Sequence, residues 1–214
     1  ADVTIENVNI SSGGDAIDVG SSSADITLEG ENKIFSESGS ALHVSSGDVT
    51  IDGDGSLEAG IQDDIEGSYN HNAKIGSHEN ENMSGTIHIT GDATVTTDDN
   101  TAQVCGGDGA GIGSGEDGDM SGTIIIDGKA HVEASSNDRG AGIGSGGAST
   151  KGSSIVKPAD GGIDIRGGVV TAQGGDGQTN SLTGGGAGIG SGGSVGGFYT
   201  QESCTVVVYI SEGE

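Results

Sequence analysis

One string of seven residues, GAGIGSG, occurs three times in this chain, at 109–115, 140–146 and 186–192. A second element recurs along the chain, a short alternating segment of apolar and polar residues that ends at or near a glycine. Its six copies are VTIEN at 3–7, ITLEG at 26–30, VTIDG at 49–53, TIHITG at 86–91, TIIIDG at 123–128 and IDIRG at 163–167. Recurrence of this kind is typical of repeat proteins, in which each unit packs only on its neighbours.

The spacing of the repeat predicts the fold. The central apolar residues of successive copies align as Ile5, Leu28, Ile51, Ile89, Ile126 and Ile165, followed by Val208 in a terminal copy. Their separation is about 23 residues at first and about 38 later. A coil of about 23 residues with three short strands is typical of a parallel β-helix. We therefore predict an all-β protein, a right-handed parallel β-helix of about six rungs with loop insertions in rungs three to six. It forms a single domain over residues 1–214.

Each predicted rung closes on a segment of small residues, and the three GAGIGSG strings are the last of these segments. Their alanine and isoleucine side chains are expected to point inward, and their glycines suit a narrow corner where backbones approach closely. A phosphate-binding glycine loop is the competing interpretation. It is the weaker one, because the string lacks the Lys-Ser/Thr pair and the following helix of such loops. The glycines are therefore predicted to be structural.

The charge of the chain limits its partners. There are 33 acidic and 7 basic residues, which gives a net charge of −26. Such a surface repels nucleic acid and anionic membranes and attracts cations. No apolar run approaches the length of about 18 residues that a membrane-spanning helix needs. We expect a protein that binds no nucleic acid and is not inserted in a membrane. The two cysteines, Cys105 and Cys204, leave a disulfide and two free thiols both open.

Two loops of equal length give the strongest local signal for a ligand. IGS-HENENMSGTI at 75–87 aligns with IGS-GEDGDMSGTI at 112–124. Oxygen-bearing side chains match in pairs, Glu79 with Glu116, Asn80 with Asp117 and Asn82 with Asp119. In stacked rungs these pairs would lie roughly 4.8 Å apart. Ca²⁺ takes six to eight oxygen ligands, several of them charged. The pattern predicts a calcium site, with two solvated acidic turns as the alternative.

Aromatic residues are rare, at 2% of the chain, and several fall in the predicted loops. Tyr69 and His71 lie in the insertion of the third rung, and Phe198 and Tyr199 lie near the end of the chain. Exposed rings of this kind stack on sugars or dock partners, and they equally cap small satellite cores. We list these four residues as candidate ligand-binding residues.

The rung pattern resembles glycine-rich repeats in surface proteins of gut-type Gram-positive bacteria, which are associated with carbohydrate binding. The opening segments SSGGDAIDV and SSGDVTIDGDGSLEA resemble a clostridial family of calcium-containing β-helix proteins that bind acidic polysaccharides without cleaving them. The resemblance implies secretion or display at the cell surface and a polysaccharide or host glycan as partner. It also implies Ca²⁺ at the acidic turns described above. We expect the protein to be a monomer.

These observations favour non-catalytic, calcium-assisted glycan binding. An adhesin or structural stalk that binds a protein partner is the first alternative. A calcium-dependent polysaccharide lyase is the second, because Arg166 lies beside Asp164 and Asp127 on the predicted outer face of the first sheet. Lyases on β-helices pair calcium-binding acids with a basic residue in this way. We assign no catalytic residue from the sequence.

Overall fold

The computed structural model describes residues 1–62, 70–99, 107–149, 162–177, 184–194 and the strand 208–210. These residues form three parallel sheets of seven, six and six strands, and no helix occurs among them. Successive strands belong to the first, second and third sheet in turn, so each strand pairs with the strand three positions earlier in the chain. This arrangement is a parallel β-helix, as the repeat spacing predicted.

The strands of each sheet come from successive rungs. The first sheet contains β1 (Asp2–Glu6), β4 (Ala24–Glu29), β7 (Asp48–Gly53), β10 (Thr86–Ile89), β13 (Thr123–Ile126), β16 (Gly162–Ile165) and β19 (Val208–Ile210). The second contains β2 (Asn9–Ser12), β5 (Glu31–Ser36), β8 (Ser56–Ile61), β11 (Thr94–Asp99), β14 (His131–Ser135) and β17 (Val169–Gln173). The third contains β3 (Ile17–Gly20), β6 (Leu42–Val44), β9 (Ile75–Gly76), β12 (Ile112–Gly113), β15 (Ile143–Gly144) and β18 (Ile189–Gly190).

The core is a continuous column of aliphatic side chains inside the coil. Ile51, Ile89, Ile126 and Ile165 pair directly in successive strands, as predicted. The first three are fully buried, because alternate residues of each strand point into the coil and the rungs above and below cover them. Small and β-branched residues suffice for this thin interior, which explains how a chain with so few aromatic residues can fold.

Two predicted alignments in the first sheet are wrong by two residues. Ile51 pairs with Ile26 instead of Leu28, and Ile165 pairs with Ile210 instead of Val208. A shift of two keeps the same face of a strand inside the coil, so the apolar pattern fits both registers. In the observed register Asp52 lies beside Thr27. This separates its carboxylate from that of Glu29, whose like charge would be unfavourable in an adjacent strand.

The glycines of the third sheet have the structural role that was predicted. Gly76, Gly113, Gly144 and Gly190 pair in a column and have φ values of 136° to 141°, which L side chains rarely adopt. A Cβ on Gly76, Gly113 or Gly144 would lie 1.7 or 1.8 Å from the carbonyl oxygen of the next glycine in the column. Glycine is required here by both backbone conformation and space.

Several predicted residues lie outside the described part of the chain. They are Tyr69, Phe198 and Tyr199 among the candidate ligand-binding residues, and the two cysteines, Cys105 and Cys204. Across the residues that the structure describes, no helix has the length and apolar character needed to cross a membrane.

Candidate metal centre

The two acidic loops stack in register, as the sequence alignment predicted. Met83 and Met120 form a parallel bridge, and the amide of Met83 donates to the carbonyl of Asp119 at 2.9 Å. Asn80 and Asp117 occupy equivalent positions with φ values of 60° and 58°. Asparagine and aspartate tolerate this left-handed conformation better than other non-glycine residues. We call residues 78–83 and 115–120 the rim loops.

The six predicted calcium ligands divide into two groups. Two of them, Glu116 and Asp117, accept hydrogen bonds from side chains or amides of the following rung. Glu116 is buried and accepts a hydrogen bond from Arg139 at 2.9 Å. Asp117 accepts hydrogen bonds from the amide of Ser149 at 2.9 Å and from its hydroxyl at 2.5 Å. Glu116 is therefore held between His71 of the preceding rung and Arg139 of the following rung, and Asp117 is held by Ser149 of the following rung.

The other four predicted ligands lie toward the surface of the rim loops. Glu79, Asn80 and Asn82 are exposed, and Asp119 is half-buried. The Nδ2 of Asn80 donates to the Oε1 of Glu79 at 3.1 Å, and the Oδ1 of Asn82 accepts from the amide of Asp119 at 2.9 Å. The Asn82 side chain therefore links the two rim loops through the backbone amide of Asp119.

A buried ion cluster lies behind the rim loops. It consists of His71, Asp108, Glu116 and Arg139, and we call it the arginine cluster. The Nε of Arg139 donates to Asp108 Oδ1 at 2.7 Å, and its second terminal nitrogen bonds both Asp108 and Glu116. His71 Nδ1 lies 2.8 Å from Glu116 Oε2 and 3.3 Å from Asp108 Oδ2. His71 was predicted to contact a ligand, whereas here it faces two carboxylates of its own chain.

The charges of the arginine cluster balance internally. Hydrogen bonds to Asp108 and Glu116 raise the pKa of His71 from 6.5 to about 10, so His71 carries a proton at neutral pH. Burial opposes ionisation of Asp108, but hydrogen bonds from His71 and Arg139 hold its pKa below the usual range. Burial and the neighbouring Asp108 raise the pKa of Glu116. Two cations face two carboxyl groups, and a further cation is not needed.

A second cluster lies on the third sheet in the first three rungs. It consists of Asp15, Asp18, His43, His78 and Glu81, and we call it the histidine cluster. His43 Nδ1 lies 2.8 Å from Asp18 Oδ1, and its Nε2 lies 2.9 Å from Glu81 Oε2. His78 Nε2 lies 2.7 Å from Asp15 Oδ1. The two imidazole rings stack at 3.8 Å with an angle of 5° between their planes.

The histidine cluster carries more negative than positive charge. Three carboxylates face two histidines, and among the cluster residues in the described structure there is no lysine or arginine. Burial opposes protonation of His43, but hydrogen bonds to Glu81 and Asp18 raise its pKa. Burial likewise opposes ionisation of Glu81, but its hydrogen bond with His43 lowers its pKa. Ligand atoms of Asp15, His43 and His78 lie within 4.8 Å of one another, close enough to share one metal ion.

Sequence reasoning missed both clusters, although the repeat carries a signal for them. His43 pairs with Gly76, the first member of the glycine column. His78 and Glu81 stack on Gly115 and Gly118 of the second rim loop. A titratable residue in a position that later rungs fill with glycine is a departure from the repeat. These departures coincide with the histidine cluster.

The outer face of the first sheet brings together the residues of the lyase hypothesis. Arg166 Nε donates to Asp164 Oδ2 at 2.7 Å, and His88 Nε2 lies 3.1 Å from Asp127 Oδ1. The hydrogen bond with Asp164 raises the pKa of Arg166 further above its ordinary value. Arg166, which directly follows β16, is therefore held as a cation by Asp164 of that strand.

Comparison with known protein families, with curated protein sequences and with solved structures finds no match for this chain.

Proposed function

We propose that this protein is a non-catalytic glycan-binding module, secreted or displayed at the cell surface, in which Ca²⁺ at the rim loops assists binding. The observation that carries the proposal is the in-register stacking of the two rim loops. The stacked loops carry the exposed side chains of Glu79 and Asn82 and the half-buried side chain of Asp119, and Asn82 Oδ1 accepts the amide of Asp119 across the loops. Oxygen ligands from carboxylates, amides and backbone carbonyls are the set that Ca²⁺ prefers.

The high negative charge supports the role of a cation in this proposal. A chain with net charge −26 repels an acidic polysaccharide unless a divalent ion lies between them. A calcium ion with part of its coordination supplied by the rim loops has positions left for the hydroxyl or carboxylate oxygens of a sugar. The glycan would then bind through the ion, and the protein would need few basic residues.

The state of Arg166 favours binding over cleavage. A lyase needs a base that accepts a proton from the sugar ring, and the ideal pKa for that task lies near the working pH. The ion pair with Asp164 moves the pKa of Arg166 in the opposite direction. We therefore place the lyase hypothesis behind non-catalytic binding.

A glycan array probed with the purified chain tests the proposal. We expect binding in CaCl₂ that a chelator removes and that re-addition of Ca²⁺ restores. The double variant Glu79→Gln/Asp119→Asn should weaken this binding by about tenfold or more, since ligand carboxylates are replaced by neutral groups. The matched control is Glu6→Gln/Glu29→Gln, which removes two paired acids from exposed positions of the first sheet.

Three outcomes would contradict the proposal. Glycan binding that persists in the chelator would remove the role of calcium. Absence of binding to any glycan, with the fold intact, would favour an adhesin or stalk module. Release of unsaturated sugars from polygalacturonate, followed by ultraviolet absorbance, would make the protein a lyase, and Arg166→Ala would then be expected to abolish that release.

A further inference from the structure

His43 makes two contacts that a neutral imidazole cannot both satisfy. A neutral imidazole has one nitrogen that donates and one that presents a lone pair. Both nitrogens of His43 face carboxylate oxygens, at 2.8 Å and 2.9 Å. One of these two contacts therefore needs a cation between nitrogen and oxygen, either a proton or a metal ion. His43 is 8% exposed, which makes an unbalanced contact there costly.

The chain already contains the partner that orients a metal-bound histidine. Such a histidine almost always donates its other ring N–H to a carboxylate or carbonyl, which holds the ring and its tautomer. Glu81 occupies this position for His43, since its Oε2 lies on the Nε2 side of the ring. The same oxygen accepts the backbone amide of His78 at 3.1 Å. Glu81 thus links both histidines on the side away from Asp18.

We propose that Asp15, His43 and His78 form a binding site for one divalent transition-metal ion of the zinc class, with Glu81 as the positioning residue. The ligand atoms are one ring nitrogen from each histidine and a carboxylate oxygen of Asp15, and Asp18 contacts His43 Nδ1 beside them. Two histidines and one carboxylate, with water in the fourth position, are a known ligand set for Zn²⁺. Calcium and magnesium favour all-oxygen sites, so the nitrogens select against them.

The distances in the cluster suit an ion of this size. Tetrahedral ligands at about 2.0–2.2 Å from zinc lie roughly 3.3–3.5 Å from one another. The pairs that now form hydrogen bonds lie 2.7 Å and 2.8 Å apart, and the second oxygen of Asp15 lies 3.8 Å from His43 Nδ1. The two rings stack in nearly parallel planes 3.8 Å apart, so a shared ion also requires the imidazoles to rotate until both lone pairs point at it. The side chain of Asp18 is 65% exposed, which leaves the ligand set open to solvent for metal entry.

The site would join three rungs of the coil. Asp15 precedes β3 in the first rung, His43 lies on β6 in the second, and His78 follows β9 in the third. An ion held by all three ties together parts of the chain that are otherwise connected by short strands of two to four residues. Its residues are separate from the calcium ligands that we propose at the rim loops. His78 and Glu81 belong to the first rim loop, so each proposal is tested with variants of its own residues.

Isothermal titration of the chelator-treated, dialysed full chain with ZnCl₂ tests the site. We expect one Zn²⁺ per chain with saturable binding, and no comparable event with CaCl₂ at these residues. His78→Gln should weaken zinc binding by about 100-fold or more, because it removes a ligand. His78 is partly exposed, so this variant is expected to fold, which far-ultraviolet circular dichroism would check.

Two further variants separate a ligand site from general attraction of cations to an acidic chain. Glu81→Gln should weaken zinc binding by roughly 10–100-fold while the ligands remain in place. His131→Gln is the matched control, because His131 is a partly exposed histidine 3.1 Å from a single carboxylate, that of Glu133. It should leave the affinity unchanged. Co²⁺ in the same site should give the intense visible absorption of tetrahedral cobalt.

Two results would overturn the proposal. One is wild-type chain that binds no zinc in a saturable, one-to-one manner. The other is zinc binding that His78→Gln and His131→Gln reduce equally, which would identify the cluster as a hydrogen-bonded network without a metal. Loss of glycan binding in Glu79→Gln/Asp119→Asn with zinc binding retained would confirm that the two sites are separate.

Discussion

The arginine cluster and the histidine cluster differ in the cations that face their carboxylates. Both place carboxylates beside the third sheet of the coil, where those of the arginine cluster are buried and Asp18 and Glu81 of the histidine cluster are partly or largely exposed. In the arginine cluster the chain supplies its own cation, and Arg139 bonds Asp108 and Glu116 directly. In the histidine cluster three carboxylates surround two stacked imidazoles without a lysine or arginine among the cluster residues. The difference teaches that the fully buried acids are matched by cations of the chain itself, Arg139 and His71, whereas the more exposed acids of the histidine cluster leave room for the metal ion that we propose.

The largest expected effect on stability comes from removing the positive charge of Arg139 from the arginine cluster. Arg139→Met should lower the free energy of unfolding by about 3–5 kcal/mol, because it leaves the two buried residues Asp108 and Glu116 with the His71 cation as their shared counter-charge. Urea denaturation followed by circular dichroism measures this loss. Arg166→Gln is the control, since Arg166 is exposed and paired with the neighbouring Asp164. An Arg139→Met variant as stable as wild type would contradict the internal balance that we describe.

The next effect concerns the histidine cluster. Zinc at 100 times its dissociation constant should raise the free energy of unfolding by about 2.7 kcal/mol, because only the folded chain holds the ligands together. Thermal unfolding with and without Zn²⁺ measures the gain. His43→Gln should abolish it, whereas Arg139→Lys should keep it. A gain of equal size in His43→Gln would show that zinc stabilises the chain elsewhere.

The pH dependence of stability sharpens the comparison. The pKa of His71 is raised to about 10 in the folded chain from an ordinary value of 6.5. Its stabilising contribution is therefore fully present below about pH 6.5 and is lost as the pH rises through about 10. Between pH 7 and pH 9 the loss should be roughly 2 kcal/mol. Denaturation of wild type and of His71→Gln at both pH values gives the difference, and an identical pH dependence in the two would refute it.

The smallest expected effect comes from an exposed acid of the histidine cluster. Asp18→Asn should change the metal-free stability by less than about 0.5 kcal/mol, because the Asp18 side chain is 65% exposed. Asp108→Asn should cost about 1.5–3 kcal/mol, since it weakens charged hydrogen bonds in a buried position. Chemical denaturation of both variants in chelator measures the contrast. Equal losses would remove the distinction between the two clusters.

Much of the arginine cluster could be predicted from the sequence, because the repeat extends to the residues that precede the third-sheet strands. His71, Asp108 and Arg139 each lie four residues before an isoleucine of the third sheet, in three successive rungs. Their side chains therefore stack with alternating charge. Glu116 was singled out, but as a calcium ligand facing Glu79. Its actual contact with Arg139 could not be predicted, because the direction of a side chain at a loop depends on which charge lies nearest in three dimensions.

The amino-acid sequence by itself determined the coil, its strands and its glycine corner. The alternating apolar residues of each repeat can be buried only by stacking equivalent strands. The recurring glycines suit the corner where four of them adopt φ values near 140°, which other residues rarely adopt. Tertiary structure alone decided the register of Ile51 on Ile26, since a shift of two residues leaves the buried face unchanged. It also decided that His43 and His78, 35 positions apart in the sequence, stack as neighbours at 3.8 Å. The repeat predicts the coil, because loops of different length leave the order of the rungs unchanged. The histidine cluster depends on single residues in three different rungs, and the repeat does not predict which side chains meet there.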